Sequence, residues 1–437
     1  MNCHPEVNKR TVHRPRHACR VVEFTTLLAI AFGSCLPAQA QAQAPQRFEF
    51  REPHLGTIVE VTLYAPEEEA ANQAARAVFD RIEELNRILS DYQPDSEAMR
   101  LCRTAGSGQA VVVSRELFDV LKRSVDLSAA TGGAFDVTIG PLVKLWRTAR
   151  RQRKLPDSRQ LEAARQLVGW KTIRLNQKDR SIELLTPGTL LDFGGIAKGY
   201  IADEARAVLR TRGLKQCLIA VAGDIAAGDP PPGTDGWKIG VAPLDKPDGP
   251  PSRLLRLANC SISTSGDAFQ FVQIDGVRYS HIVDPGTGLG LTRRSSVTVV
   301  APDGATADGL ATAVSILGPE RGLKLIAANK ETAALVVQAT DDGLVVSESP
   351  DFAKLVIPPD KAKKDVSDKS LKRTWGTFST CPFSSDSSTL ETCSTTFVGN
   401  VKIKNRQDQV MHLDAMVAAD HLPMQNLLKT RSRISSV

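Results

Sequence analysis

Leu191-Asp192-Phe193-Gly194-Gly195-Ile196-Ala197-Lys198-Gly199-Tyr200-Ile201-Ala202-Asp203 is the stretch on which the reading of this chain turns. A carboxylate closes an apolar strand, two glycines permit a tight turn, and a lysine stands where a helix begins. Backbone N–H groups, helix dipole and ammonium all favour an anion there, so the stretch reads as a phosphate cradle. The same pattern also suits a strand-to-helix junction packed closely on a neighbour, with turn glycines and a solvated lysine. The rest of the chain has to decide.

Downstream, Ile201, Ala205, Val208 and Leu209 share one helical face up to Thr211, and Gly213 stops the helix. Upstream, Phe48 to Tyr64 alternates around His54-Leu55-Gly56-Thr57 and predicts a hairpin. Glu67 to Ser90 carries apolar residues at helical spacing, and Ser114 caps a second helix over Arg115 to Ala130. Tyr92 to Arg103 reads as a loop, and Ala134-Phe135-Asp136 follows the second helix as a junction of buried aromatic and turn-capping carboxylate. Strands are expected at Cys217 to Val221, ended by Ala222-Gly223-Asp224, and at Trp237 to Val241, Ser252 to Leu257 and Ser296 to Ala301.

Two further stretches carry polar chemistry. Thr264-Ser265-Gly266-Asp267 is followed by His281-Ile282-Val283-Asp284-Pro285-Gly286-Thr287-Gly288, and His281 is the only histidine between His54 and the tail. Asp308 and Thr312 then lie four apart on a predicted helix, which puts both oxygens on one face. By themselves they read first as a dipole-complementing aspartate and a back-bonded threonine. The same oxygens also make a hard-donor pair suited to magnesium.

The chain has 437 residues and a formal net charge of +6, enough length for a substantial core and too modest a charge to imply nucleic acid. Its one basic cluster, Arg147 to Lys154, lacks interleaved aromatics and is expected to be a solvated loop. Arg10, Arg14, Arg16 and Arg20 precede the apolar run Thr26 to Pro37 and an Ala/Gln alternation, the order of a secretory signal. Export to the periplasm after an Ala-x-Ala cut is expected, with a lipid anchor to the inner membrane on Cys35 as the alternative. Residues 1–44 are therefore set aside as a targeting segment, 45–357 as one domain, and 358–437 as a charged linker and Ser/Thr-rich tail with a short helix near 414–419. None of the eight cysteines forms a Cys-x-x-Cys pair, which argues against zinc. Cys102, Cys217 and Cys260 read as buried thiols, and Cys381 and Cys393 as a local disulfide if the tail is exported.

The order Asp192-Phe193-Gly194-Gly195-Ile196-Ala197-Lys198-Gly199-Tyr200, Thr264-Ser265-Gly266-Asp267, His281-Ile282-Val283-Asp284-Pro285-x-Thr287-Gly288 and Ala307-Asp308-x-x-Ala311-Thr312 resembles the FAD:protein FMN transferase (ApbE-type) family over about Arg47 to Ile357. The resemblance implies a single α+β, T-fold-like domain with a mixed, largely antiparallel sheet and flanking helices. It implies magnesium-dependent transfer of the FMN half of FAD to a threonine or serine hydroxyl of an exported or membrane-bound acceptor protein, such as a redox-complex subunit, with release of AMP. Magnesium would be held by Asp308, Thr312 and the Gly195 carbonyl. FAD would be lined by Leu55, Tyr92, Ala134, Phe135, Asp136, Asp192, Lys198 and Ile282. His281 would act on the acceptor proton, with Asp284 orienting its turn. Leu55 replaces a usual methionine, Ala222 a usual glycine and Phe193 a usual leucine, and none of these removes a ligand. The same motifs also suit an FAD pyrophosphatase or an exported flavin-binding protein.

Overall fold

A computed structural model describes residues 44–268 and 270–358, with the strand pair Ile403–Lys404 and Val410–Met411. Residues 1–43 of the targeting segment, with the Cys35 anchor, the Cys381–Cys393 pairing and the helix near 414–419, lie outside the described residues. Strands β1 (Gln46–His54) and β2 (Thr57–Ala65) form the expected hairpin, turning through Leu55 and Gly56 at φ of 56° and 71°. Helix α1 (Glu68–Leu89) buries Ala71, Ala75, Val78, Ile82, Leu85 and Leu89 at helical spacing, packing them on Val59, Val61 and Leu63 of β2.

Next come α2 (Glu97–Cys102), β3 (Val111–Val112), α3 (Arg115–Ala130), α4 (Gly140–Gln152), α5 (Ser158–Arg165), β4 (Ile173–Asn176) and β5 (Ser181–Leu184). The central segment is α6 (Ala197–Thr211), β6 (Cys217–Val221), β7 (Asp224–Ala227), β8 (Trp237–Val241), β9 (Arg253–Leu257) and β10 (Ser261–Gly266). The chain continues through β11 (Phe271–Ile274), β12 (Val277–Ser280), β13 (Ser295–Ala301), α7 (Gly304–Ala328), β14 (Ala333–Thr340) and β15 (Gly343–Glu348). Helix α7 is kinked where Gly318 takes φ 78° before Pro319, which has no N–H for the helix ladder.

The main sheet has eight strands in the order β1-β2-β6-β7-β10-β13-β14-β15, and every neighbouring pair is antiparallel. Among the described residues parallel pairing is confined to the Ile139–Leu190 bridge. Strand β13 is buried along its whole length because both faces are covered. Val297 and Val299 meet Leu310, Ala311 and Val314 of α7, whereas Val300 meets Trp237, Ile239 and Leu255 of the β8–β9 hairpin. Full burial of each such side chain contributes roughly 1.5–3 kcal/mol. A satellite core joins Leu142, Trp146 and Ala149 of α4 to Ala164 of α5 and to Val272, Ile274 and Tyr279 of the β11–β12 hairpin.

Four local expectations change. Ser96 accepts the Met99 N–H and starts α2 inside the expected loop Tyr92 to Arg103. The basic run is not a solvated loop: Pro141 in the first turn opens α4, and Leu142, Trp146 and Ala149 give it a buried stripe through the arginines. Asp192 closes no strand, since Leu190 makes only a single bridge. Asp224 does not end a sheet segment but begins β7, paired with Val221 across a two-residue turn in which Ala222 takes φ 54°.

The register gathers the motifs. Val59 pairs with Val221, Val221 with Asp224, Asp224 with Ser263, and Gly266 with Ser296. The Leu55-Gly56 turn, the Ala222-Gly223 turn and the Thr264-to-Gly266 segment therefore lie at one end of the sheet.

Candidate active site

Lys198, in the first turn of α6, is the hub. Its Nζ stands 2.9 Å from Asp224 Oδ2 and 3.4 Å from Asp308 Oδ2, and donates to the Gly194 carbonyl at 3.3 Å. The two carboxylates are 3% and 1% exposed, so burying them is tolerable only with the ammonium between them. Both acids hold the Lys198 pKa above its ordinary value, against the desolvation that lowers it most. Burial, with repulsion from Asp224, pushes the Asp308 carboxyl up to about 7, while Lys198 opposes the rise. Ser263 donates to the other Asp224 oxygen at 2.5 Å.

Two helices meet here without side chains between them. A Cβ on Gly199 would fall 2.0 Å from the Gly304 carbonyl oxygen, so α6 and α7 approach backbone to backbone. Asp203 of α6 also accepts the Gly304 N–H. This approach brings Asp308 beside Lys198 and lets the Gly199 N–H donate to Asp308 Oδ2 at 3.3 Å. The Gly195 backbone also packs closely on Thr312, whose Oγ1 would lie 2.8 Å from an added Cβ and stands 3.5 Å from Ser265 Oγ. No hydrogen bond among the described residues engages Asp308 Oδ1. Asp308 and Thr312, with the Gly195 backbone beside Thr312, are the hard oxygen donors that could hold magnesium here. No cluster of three or more His, Cys, Asp or Glu suited to a metal occurs among the described residues, so any ion here depends on hydroxyl and carbonyl oxygens as well.

The Asp192 turn forms a second wall. Asp192 Oδ1 accepts the Gly194 N–H at 2.8 Å and Oδ2 stands 3.2 Å from Arg147, which also lies 2.6 Å from Asp91. The Arg147 guanidinium covers the Tyr92 ring at 4.1 Å from its centroid, while Tyr92 remains 63% exposed. Leu55 stands in the β1–β2 turn and packs on the main core.

The third wall is less direct. Phe135 is buried in the main core. Asp136 accepts Thr138 N–H and O–H at 2.9 and 2.6 Å and the Trp170 N–H at 3.1 Å, which makes it a framework carboxylate. It nevertheless helps line a cavity of about 360 Å³ with Gly133, Arg165, Pro285 and Gly286, and this joins the Ala134-Phe135-Asp136 motif to the His281 loop. Ala134 is half-buried beside it and Ile282 is buried. Asp284 accepts the Gly286 N–H at 2.8 Å and so shapes the turn after His281 rather than touching the imidazole.

His281 is placed by α4: Trp146 Nε1 donates to the Ser280 carbonyl at 3.1 Å and its ring meets Tyr279 edge-on. His281 Nδ1 lies 3.3 Å from the Gln270 carbonyl, so a proton on Nδ1 leaves Nε2 with the lone pair. Burial, reinforced by Arg150, lowers the imidazole pKa to about 4. The folded chain therefore stays neutral at His281 between pH 6.5 and 4 while the unfolded chain takes up a proton. The stability contribution is full above pH 6.5 and is lost as pH falls through that window. An NMR titration of the ring is expected to find its midpoint well below 6, and a midpoint near 6.5 would contradict this placement.

Asp224, Asp91 and Arg147 join this cluster of ion pairs without having been among the sequence candidates. Asp224 was visible only as the end of Ala222-Gly223-Asp224, and Arg147 was hidden in its basic run.

The fold is that of solved flavin transferases. It matches the flavin transferase ApbE of Vibrio cholerae with a TM-score of 0.64 and 29% identity, covering 71% of this chain and 99% of that one. It matches the apo flavinyl transferase ApbE of Pseudomonas stutzeri with a TM-score of 0.64 and 28% identity, covering 71% and 97%. Among curated proteins, the FAD:protein FMN transferase of Vibrio cholerae is 30% identical over 327 residues, 74% of this chain and 97% of the relative. That of Treponema pallidum is 32% identical over 287 residues, 62% and 79%. The ApbE family model matches residues 55–336, and the chain belongs to the ApbE family.

Proposed function

We propose that this protein is an FAD:protein FMN transferase that uses magnesium and a threonine or serine acceptor. The observation that carries the reading is the convergence of Lys198, Asp308, Thr312 and the Gly195 backbone at the sheet end that also holds the Leu55 turn. Asp308, Thr312 and the Gly195 carbonyl would hold the ion, which when bound supplies positive charge to pyrophosphate oxygens. Phosphoryl transfer needs positioning and charge stabilisation more than covalent help, and this chain provides both.

Lys198, pinned by two carboxylates, presents a fixed ammonium to the pyrophosphate without reorganising. Tyr92 offers an aromatic face for one of the planar rings of FAD. The neutral Nε2 of His281 takes the proton from the acceptor hydroxyl as its oxygen bonds the FMN phosphorus. The bond from that phosphorus to the bridging oxygen breaks, and AMP leaves with the electron pair.

Residues 1–44 support export to the periplasm, where the acceptor would be met; N-terminal sequencing of the mature protein tests this. No helix among the described residues is long and apolar enough to cross a membrane. Incubation with FAD, magnesium and a Ser/Thr-containing acceptor is expected to give a covalently fluorescent acceptor and one AMP per label. AMP with no labelled protein would replace this reading by FAD hydrolysis.

A further inference from the structure

Arg147 lies outside every motif that carries the family resemblance, yet three groups from two segments distant in the chain converge on it. Its guanidinium is 2.6 Å from Asp91 at the end of α1 and 3.2 Å from Asp192, and it lies under Tyr92. The side chain is 31% exposed, and its partners Asp91 and Asp192 are 16% and 9% exposed, so water screens the contacts only in part. Burial, with repulsion from Asp192, raises the Asp91 pKa to about 6 against the pull of Arg147.

We propose that Arg147 is a positioning residue for FAD, acting through Tyr92 and Asp192. This rests on the transferase reading above. The guanidinium plane holds the Tyr92 ring at 4.1 Å from its centroid, and the ring, 63% exposed, would meet a flat ring of the nucleotide through its exposed surface. Through Asp192 Oδ2 it fixes the carboxylate whose Oδ1 holds the Gly194 N–H, and so the turn that presents Gly195 and Lys198. One side chain thereby sets the distance between the aromatic face and the pyrophosphate wall.

The Tyr92 loop does not need Arg147 to fold. Ser90 Oγ accepts the Tyr92 and Gln93 N–H groups, each at 3.2 Å, and Ser96 Oγ donates to the Ser90 carbonyl at 2.6 Å. Removing the guanidinium instead leaves two acids facing each other without a cation, which pushes the two walls apart.

The full chain carrying Arg147→Met, Arg147→Lys or Arg147→Met with Asp91→Asn tests this. FAD binding is measured by equilibrium dialysis, turnover by AMP release, and stability by thermal unfolding without FAD. Arg147→Met is expected to weaken FAD binding and raise the KM for FAD about tenfold, the size of one lost charge-assisted contact. The kcat at saturating FAD should stay within about threefold and Tm within a few degrees. Arg147→Lys keeps the charge but not the planar fork and should fall between, and Asp91→Asn should recover part of the loss by relieving repulsion. ADP and FMN bound separately show which ring meets Tyr92, since only that half should lose affinity. Unchanged FAD affinity in Arg147→Met, or a fall in kcat at constant KM, overturns the proposal. A parent protein that binds no FAD sinks the transferase reading and this proposal together, whereas one that binds FAD but labels nothing sinks only the former.

Discussion

Asp308→Ala is expected to lower AMP release from FAD about 10³-fold or more, the scale seen when one fixed charge-stabilising group leaves a phosphoryl-transfer site. Asp308 is buried, and its Oδ2 receives the Lys198 ammonium and the Gly199 N–H while no hydrogen bond among the described residues engages Oδ1. The substitution removes the only carboxylate of the proposed magnesium set, leaving a hydroxyl and a carbonyl. It should not unfold the protein, because Lys198 keeps Asp224 at 2.9 Å and the repulsion between the two acids disappears. Calorimetric titration with magnesium is therefore expected to lose its signal in a protein whose Tm is unchanged or raised. Normal turnover in this variant would remove the metal assignment.

Gly199→Ala is expected to be the most damaging single-methyl change in the domain. An alanine here gains about 1 kcal/mol of helix propensity over glycine. Against this, its Cβ would stand 2.0 Å from the Gly304 oxygen, 2.4 Å from the Gly304 carbonyl carbon and 2.9 Å from Asp308 Cβ. Backbone atoms cannot rotate away, so α6 and α7 have to part along the contact that aligns Lys198 with Asp308. Overpacking against yielding side chains costs roughly 1–3 kcal/mol, and against backbone the upper end or more. The clash wins over the propensity. A net loss of about 2–3 kcal/mol lowers Tm by about 5–10 °C for a domain of this size, with a parallel loss of AMP release. An alanine variant as stable and active as the parent would show that the two helices are not in contact as described.

The parts of the fold legible in the sequence are those whose signals are local. The β1–β2 hairpin, α1, the Ser114-capped α3 and α6 all follow from periodicity, caps and turn residues within a few positions. Helix α4 escaped because its apolar stripe of Leu142, Trp146 and Ala149 is interleaved with the arginines that make the segment look solvated. The site was legible as a set of motifs and not as a set of contacts. The spacing of Asp308 and Thr312 put them on one helical face, but the Lys198–Asp224 pair depends on how β7 registers against β6 and β10, which no local pattern reports. The Ala134-Phe135-Asp136 motif was legible, but not that Phe135 packs in the main core while Asp136 holds backbone N–H groups and lines a cavity with Pro285 and Gly286.

The pairing of β2 with β6 skips every element from α1 to α6, and Lys198 and Asp308 are 110 residues apart in the chain. Contacts of such long range come at the end of folding, since the entropy of closing the intervening chain must be met before they return anything. A chain emerging in N-to-C order thus acquires its hairpin and first helices while the cradle does not yet exist. Nucleotide affinity would then switch on only when α7 docks, so the protein cannot engage FAD while part-folded, and ligand binding becomes a readout of completed assembly.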